Sequence, residues 1–244
     1  MVKKILRSLL LKEKASPEAY AAYLRRQGVQ MGEDVIIYAP NHTLLDMTCP
    51  WLLTIGNHVR ITHGVIILTH DYSWYVLKNL PEAPGRVLGA QSPVQIGNNV
   101  FIGMNAVITR GVTIGDNVII GAGSIVTGDC EGNSVYAGNP ARKIMTLEQY
   151  LEKREKQQFA EAAAMARIYR DRFGSFPPKE ALSEYFMLFS DAAAGEAEPA
   201  FLQKMRLGSG LEKTRAYMQS HAAQFACYED FLSACMDEEC GENR

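Results

Sequence analysis

The sequence predicts a mainly β chain whose short strands wind into a parallel coil, followed by a helical region. Three observations lead there. From Ile96 to Val126 an aliphatic residue returns at every sixth position: Ile96, Ile102, Ile108, Ile114, Ile120 and Val126. A glycine follows this beat at Gly97, Gly103, Gly115 and Gly121, and a small or branched residue stands four after it at Val100, Ala106, Val112, Val118 and Ser124. The beat is gone by Thr146, where helical signals replace it. A period of six is neither the 3.6 of a helix nor the alternation of a lone strand, so it marks an internal repeat. Three such sides close a triangular coil of about eighteen residues, with the beat residues inward and stacked at the ~4.8 Å strand spacing.

Residues 1–30 read as a helical segment. Ser16, Pro17 and Glu18 have the form of an N-cap, a proline at the first helical position and an acid at the positive helix end. Ala19 to Gln27 follow, and Gly28 can close the helix. Before them, Ile5, Leu6, Leu9 and Leu10 make an apolar stripe beside Lys3, Lys4, Arg7 and Lys12. This stripe is expected to pack on the body, with peripheral membrane contact at most. Arg7 and the lack of a small-residue cleavage site argue against a signal peptide.

Residues 31–145 read as the coil. Met31, Ile37, Thr43, Cys49, Ile55, Ile61 and Ile67 fall on one phase, although Thr43 and Cys49 are poor inward residues and 41–51 looks distorted. Ile67 and Ile96 are 29 residues apart, so the phase breaks between them. Residues 70–93 lack the beat, are rich in turn formers and read as a loop leaving the coil; such loops are usually functional.

Residues 146–244 read as a helical domain. Thr146 to Gln149 is a capping box, and a long helix should run to Phe173 before Gly174. Leu182, Tyr185, Phe186 and Phe189 suggest a helical aromatic face, and 191–199 a low-complexity joint. Shorter helices are expected near 200–207, 211–225 and up to Cys235, with an acidic tail fraying from Asp237.

The chain has 244 residues, 47% of them apolar, and a net charge of −2, which gives no field for nucleic acid. No run of about 18 apolar residues predicts a membrane crossing. Cys49, Cys130, Cys227, Cys235 and Cys240 are odd in number and read as reduced thiols of a cytoplasmic protein. The last three, with His221, lack a Cys-x-x-Cys knuckle, so no metal is expected.

The run from Ile96 to Thr127, closed by Ala137-Gly-Asn-Pro-Ala-Arg142, resembles the hexapeptide-repeat acyltransferases. Within them it is similar to maltose and galactoside O-acetyltransferases and to the O-acetyltransferases of capsule and lipopolysaccharide biosynthesis. The resemblance covers roughly residues 31–145. It implies a left-handed parallel β-helix, an exception to the usual right-handed crossover. It also implies a homotrimer with sites between neighbouring prisms, acetyl-CoA as cosubstrate and a loop histidine as base.

Acetyl transfer to a hydroxyl needs a base that works near neutrality, which suits histidine. Of His42, His58, His63, His70 and His221, His70 opens the loop and matches the family's base; His63 is the fallback. Asp71 adjoins His70 and could orient it, but neighbours on an extended chain point apart, so pairing needs a bend. Tyr72 and Trp74 could wall a sugar. The resemblance makes Asn41 the groove asparagine for the acceptor hydroxyl or the oxyanion. It assigns the cofactor arm to Gly103, Gly121 and Ala122, with Met104 where the family has a serine. Thr127 matches a position near the adenine, and Arg142 and Lys143 the residues that meet CoA phosphates. The expected reaction is O-acetylation of a sugar or glycan precursor. An amino-sugar N-acetyltransferase and a non-catalytic scaffold are the alternatives. A γ-class carbonic anhydrase would use His58 and His63, but its third ligand falls near Ala22, where no histidine stands.

Overall fold

The structure, a computed structural model, describes residues 11–242. The Ile5, Leu6, Leu9 and Leu10 stripe lies outside them. The chain divides into two compact units, with the division after Tyr150.

The first unit opens with the helix Pro17–Gln27. Ser16 Oγ accepts from Ala19 N at 3.2 Å, and Gly28 closes the helix at φ +103°. The coil begins at once. Its strands are β1 (Gln30–Met31), β2 (Ile36–Ile37), β3 (Leu44–Leu45), β4 (Leu53–Ile55), β5 (Arg60–Ile61) and β6 (Ile66–Ile67). Beyond the loop come β7 (Val94–Ile96), β8 (Val100–Ile102), β9 (Val107–Ile108), β10 (Thr113–Ile114), β11 (Val118–Ile120) and β12 (Ile125–Val126). The antiparallel hairpin β13 (Ser134–Gly138) and β14 (Ala141–Thr146) ends the coil. Three sheets form the faces of a prism. Sheet A runs β1-β4-β7-β10, sheet B β2-β5-β8-β11-β13-β14, and sheet C β3-β6-β9-β12. Apart from the closing hairpin the pairing is parallel, and the architecture is the left-handed parallel β-helix.

The beat residue of each strand points inward, joined in β4, β7, β8 and β11 by the residue two before it, and the beat residues stack in columns. Ile61, Ile102 and Ile120 form one column, fully buried at 0% exposure each. Burial of each such side chain is worth about 1.5–3 kcal/mol. The glycine after the beat has a steric cause. A Cβ on Gly97 would come within 2.4 Å of Asp116 Oδ1, and one on Gly103 within 2.5 Å of Ala122 N. Adjacent coils therefore approach closely only because that corner lacks a side chain. The edge between sheets A and B is also laced by side chains. Asn57 Oδ1 accepts from Glu33 N, Asn98 Oδ1 from Asn57 N, and Asp116 Oδ1 from Asn98 N, at 2.6–2.9 Å.

The first two coils correct the expected phase. The inward residues are Met31, Ile37 and Leu45, then Ile55, Ile61 and Ile67. Thr43 and Cys49 are not column residues. The side from Ile37 to Leu45 has two extra residues and that from Leu45 to Ile55 four. Together they equal one repeat, so the phase returns at Ile55 and hides the irregularity.

The second unit is helical. The helix Leu147–Phe173, most of which belongs to this unit, starts from the capping box: Thr146 N donates to Gln149 Oε1 at 2.9 Å and Gln149 N to Thr146 Oγ1 at 3.2 Å. Ala162, Ala163 and Ala166 of this helix pack into a core with Leu182, Phe186, Phe189, Phe201 and Phe231. The aromatic stretch is not the expected helix: it folds as 3₁₀ turns Lys179–Leu182 and Phe186–Leu188. The supposed joint instead contains the helix Ala192–Ala197, because Asp191 Oδ1 caps Ala194 N at 2.8 Å. Helices Pro199–Met205, Leu211–Ser220 and Tyr228–Glu242 complete the unit, so the last helix continues past Asp237, where fraying was expected. No described helix is long and apolar enough to cross a membrane.

Replacing Ile102 by alanine opens a hole in the column between Ile61 and Ile120. A loss of about 2–5 kcal/mol is expected. Guanidinium denaturation of the full chain checks it; an unchanged midpoint contradicts the inward stack.

Candidate active site

The loop leaves between β6 and β7, on the edge that joins sheets C and A. Its base is zipped closed. His70 and Gln91 form an antiparallel bridge, Asp71 N donates to Ala90 O at 2.8 Å, and Ser92 N to Thr69 O at 3.0 Å. The His70 backbone is thus held although the loop beyond it carries only one short helix, Trp74–Leu77.

The His70 side chain has a partner that sequence reasoning missed. Asp46, 4% exposed, lies in the coil beneath. Its Oδ2 accepts from Thr69 N at 3.0 Å, from Thr69 Oγ1 at 2.7 Å and from His70 Nδ1. Its Oδ1 accepts from Thr48 N at 2.9 Å. Burial alone would raise this carboxyl, but the Thr48 N–H, the Thr69 hydroxyl and His70 outweigh it and hold the acid well below the usual carboxylate range. An ionised acid only accepts, so Nδ1 donates and neutral His70 keeps its lone pair on Nε2.

This changes the role of Asp71. Its carboxylate turns to the loop, accepting from Ser73 N at 2.7 Å and Ser73 Oγ at 3.0 Å, and lies 4.0 Å from Arg110 Nε. The Ser73 N–H and hydroxyl, then Arg110 and His70, lower its carboxyl. Asp71 shapes the loop; Asp46 holds the imidazole.

His70, Asp71, Tyr72 and Thr127 line one cleft of about 520 Å³ with Leu68, Thr109 and Arg110. Leu68, Thr109 and Thr127 each follow an inward residue of sheet C, so they rise as a ladder at about 4.8 Å per coil. Tyr72 sets its ring edge-on to His70 at 4.5 Å between centroids. Trp74 lies next to Tyr72 at 6.3 Å and does not line the cleft.

The other expected site residues lie elsewhere on this chain. Asn41 lines a second cleft, of about 360 Å³, with His42, Tyr20, Tyr23 and Met47. His42 stacks on His63 at 4.6 Å. His58 Nδ1 meets Asp34 Oδ2 at 2.9 Å, and Asp34 also takes Arg60. Among the described residues no three His, Cys, Asp or Glu converge as a metal-ligand group. Gly103, Met104, Gly121 and Ala122 stand on the edge between sheets B and C, away from the His70 edge. Coil stacking already explains the glycine at Gly103. Arg142 donates through Nη1 to Ala141 O, and Lys143 pairs with Glu131 at 2.9 Å; both are on the closing hairpin.

Arg110 was also missed, although a signal existed. Within residues 96–126 the charged side chains are Arg110 and Asp116, and Asp116 is used by the coil ladder.

Comparison with known proteins adds the following. The family model for bacterial transferase hexapeptide (six repeats) matches residues 93–128. Protein CapG of Staphylococcus aureus is 48% identical over 128 residues, covering 52% of this chain and 71% of that protein. A maltose O-acetyltransferase from Clostridium difficile 630 is similar at 29% identity, over 59% of this chain and 81% of that one, with a TM-score of 0.40. A galactoside acetyltransferase solved with coenzyme A is 29% identical over 59% of this chain and 80% of that one, with a TM-score of 0.40.

The Asp46 carboxyl is depressed in the folded chain, which fixes the sign of a pH effect. An unfolded aspartate protonates near pH ~4. The stability from ionised Asp46 is complete above that pH and is lost as pH falls toward the folded value. Asp46→Asn should therefore be less stable than the parent at neutral pH and lose less on acidification to about pH 3. Thermal unfolding at both pH values checks this; equal acid sensitivity in the two proteins contradicts it.

Proposed function

The chain belongs to the bacterial hexapeptide-repeat transferases, and on that premise we propose that it moves an acetyl group from acetyl-CoA to a hydroxyl of a sugar or glycan precursor, with His70 as general base. The observation behind this reading is the Asp46–His70 pair at an open cleft. Asp46 fixes the tautomer, so His70 Nε2 is the ring nitrogen able to accept the hydroxyl proton. The oxygen then attacks the thioester carbonyl, and His70 returns the proton to the departing thiolate. Acetyl-CoA supplies the activated acyl group; the residues of this chain orient, accept and return the proton. Asp46 also stabilises the imidazolium formed midway.

The surface on the edge between sheets B and C suits the donor. Gly103 and Ala122 keep that edge low, and Met104, half exposed, offers an apolar contact. Gly138 N donates to Ser124 Oγ at 3.2 Å, so the hairpin turn stands over the same edge. Arg142 follows directly, with a guanidinium suited to phosphate. In this reading Thr127 serves the cleft, and Asn41 serves the acceptor only if its edge meets a cleft of another copy.

That last condition points to a homotrimer. Sheet C shows the outside an aliphatic row, Leu44, Ile66, Val107 and Ile125, in register. Sheet A shows Gln30, Thr54, Gln95 and Thr113 instead. The His70 edge and the Gly103 edge border the aliphatic face, so a closed ring burying it unites them across an interface. We place the reaction in the cytoplasm, where the thiols of Cys49, Cys130 and Cys227 stay reduced.

Two outcomes follow. His70→Ala should lower kcat for acetyl transfer about 10²–10⁴-fold while calorimetry shows acetyl-CoA still bound. An unchanged kcat removes the base assignment. Val107→Asp should shift sedimentation from three chains toward one; a retained trimer rejects sheet C as the interface.

A further inference from the structure

We propose that Arg110 selects the acceptor by binding an anionic group on it, a carboxylate or a phosphate. This rests on the acetyl-transfer reading above and adds the charge class of the sugar.

The coil has no use for a cation at this position. The turn after Arg110 is made by Gly111 at φ +80°, and Gly111 N donates to Pro93 O at 3.1 Å. Both are backbone features that any residue at the preceding position permits. The strand hydrogen bond of Thr109 N to Val126 O, at 3.0 Å, is equally independent of the neighbouring side chain. Yet the guanidinium stands in the cleft that His70 faces, between the loop and the threonine ladder.

Its hydrogen-bonding capacity is largely unspent. The nearest acid is Asp71, 4.0 Å from Nε and too far for a hydrogen bond. Asp71 is itself engaged by the amide and hydroxyl of Ser73. Among the described residues Nη1 and Nη2 of Arg110 have no hydrogen-bond acceptor. Asp71 lies on the Nε side, so the paired Nη edge is the part left for a ligand. That edge is a planar fork of N–H donors, the shape that receives two oxygens of a carboxylate or phosphate. The side chain is 39% exposed, so the subsite is reached from solvent and partly screened.

Asp71, ionised and 4.0 Å from Nε, offsets part of the Arg110 charge, so an anion is held by the directed Nη donors rather than by net charge of the cleft. Asp46 is buried and bonded to His70, and Asp71 faces Ser73. The hydroxyls of Thr109 and Thr127 add neutral polar groups; Thr109 Oγ1 already donates to Val126 O at 3.1 Å and keeps a lone pair for a sugar hydroxyl. An acceptor anchored by its anionic group at Arg110 presents a neighbouring hydroxyl to His70 from within the same cleft.

The test compares three acceptors, methyl β-D-glucuronide, glucose 1-phosphate and methyl β-D-glucoside, with the full chain, Arg110→Gln and Arg110→Lys. CoA release gives kcat and KM; calorimetry without acetyl-CoA gives acceptor Kd. At least one charged acceptor should have a Kd about tenfold below that of the neutral glucoside. Arg110→Gln should erase the difference and Arg110→Lys restore part of it. The glucuronide and phosphate arms tell which anion fits. Equal affinity for charged and neutral acceptors overturns the proposal. So does a rise in the KM of acetyl-CoA that matches the rise for the acceptor, since Arg110 would then hold a donor phosphate. If no acceptor releases CoA but a charged one binds through Arg110, the anion subsite stands and the transfer reading falls.

Discussion

The pairing of Leu45 with Ile67 sets the position of everything at the cleft. These two residues stack in the column of sheet C, and the stack fixes which residues lie above and below the start of the loop. Asp46 follows Leu45, and Thr69 and His70 follow Ile67 by two and three positions. The column therefore buries an acid under the loop's first residues. A buried carboxylate is costly unless its oxygens are filled. Here Thr48, Thr69 and His70 fill them, so the same hydrogen bonds that make the acid tolerable also hold the imidazole.

The coil and the loop divide the work. Inward aliphatics and side-chain ladders tie each turn of the coil to the next, and the coil supplies Asp46 from its first turn, Thr109 and Arg110 from its third and Thr127 from its fourth. The loop supplies His70, Asp71 and Tyr72 and is closed at its base by the bridge to Gln91. In the proposed reaction, an imidazole held from below by Asp46 and set edge-on to the Tyr72 ring takes the proton from a positioned hydroxyl. The unit beyond Tyr150 has its own aromatic core and none of these residues.

The prism was legible in the sequence because its period is set by simple packing: one inward aliphatic in every six residues, with a crowded glycine corner on two of the three edges in residues 96–126. Caps were legible for the same local reason, as at Ser16 and Thr146. Asp46 was not, because its register is not local. A strict eighteen-residue coil sets Cys49 under Ile67, whereas the structure pairs Leu45 with it. The extra residues before and after Leu45 sum to one repeat and leave the later phase undisturbed. Asp71 was the candidate orienter on adjacency alone, and the Ser73 turn drew it away. The helix Ala192–Ala197 was hidden by a composition that looked featureless, although Asp191 is a standard cap. Asn41 and the Gly103 edge were read from a resemblance that implies a site between copies; in this chain they stand on a different edge from His70.

The most direct test of the Asp46–His70 account is the tautomer of His70, read from ¹⁵N-labelled histidine by long-range ¹⁵N–¹H correlation near neutral pH. The account predicts a proton on Nδ1, strongly deshielded by Asp46, with Nε2 unprotonated, and loss of that deshielded signal in Asp46→Asn. A neutral ring protonated on Nε2, unchanged by the substitution, would contradict it.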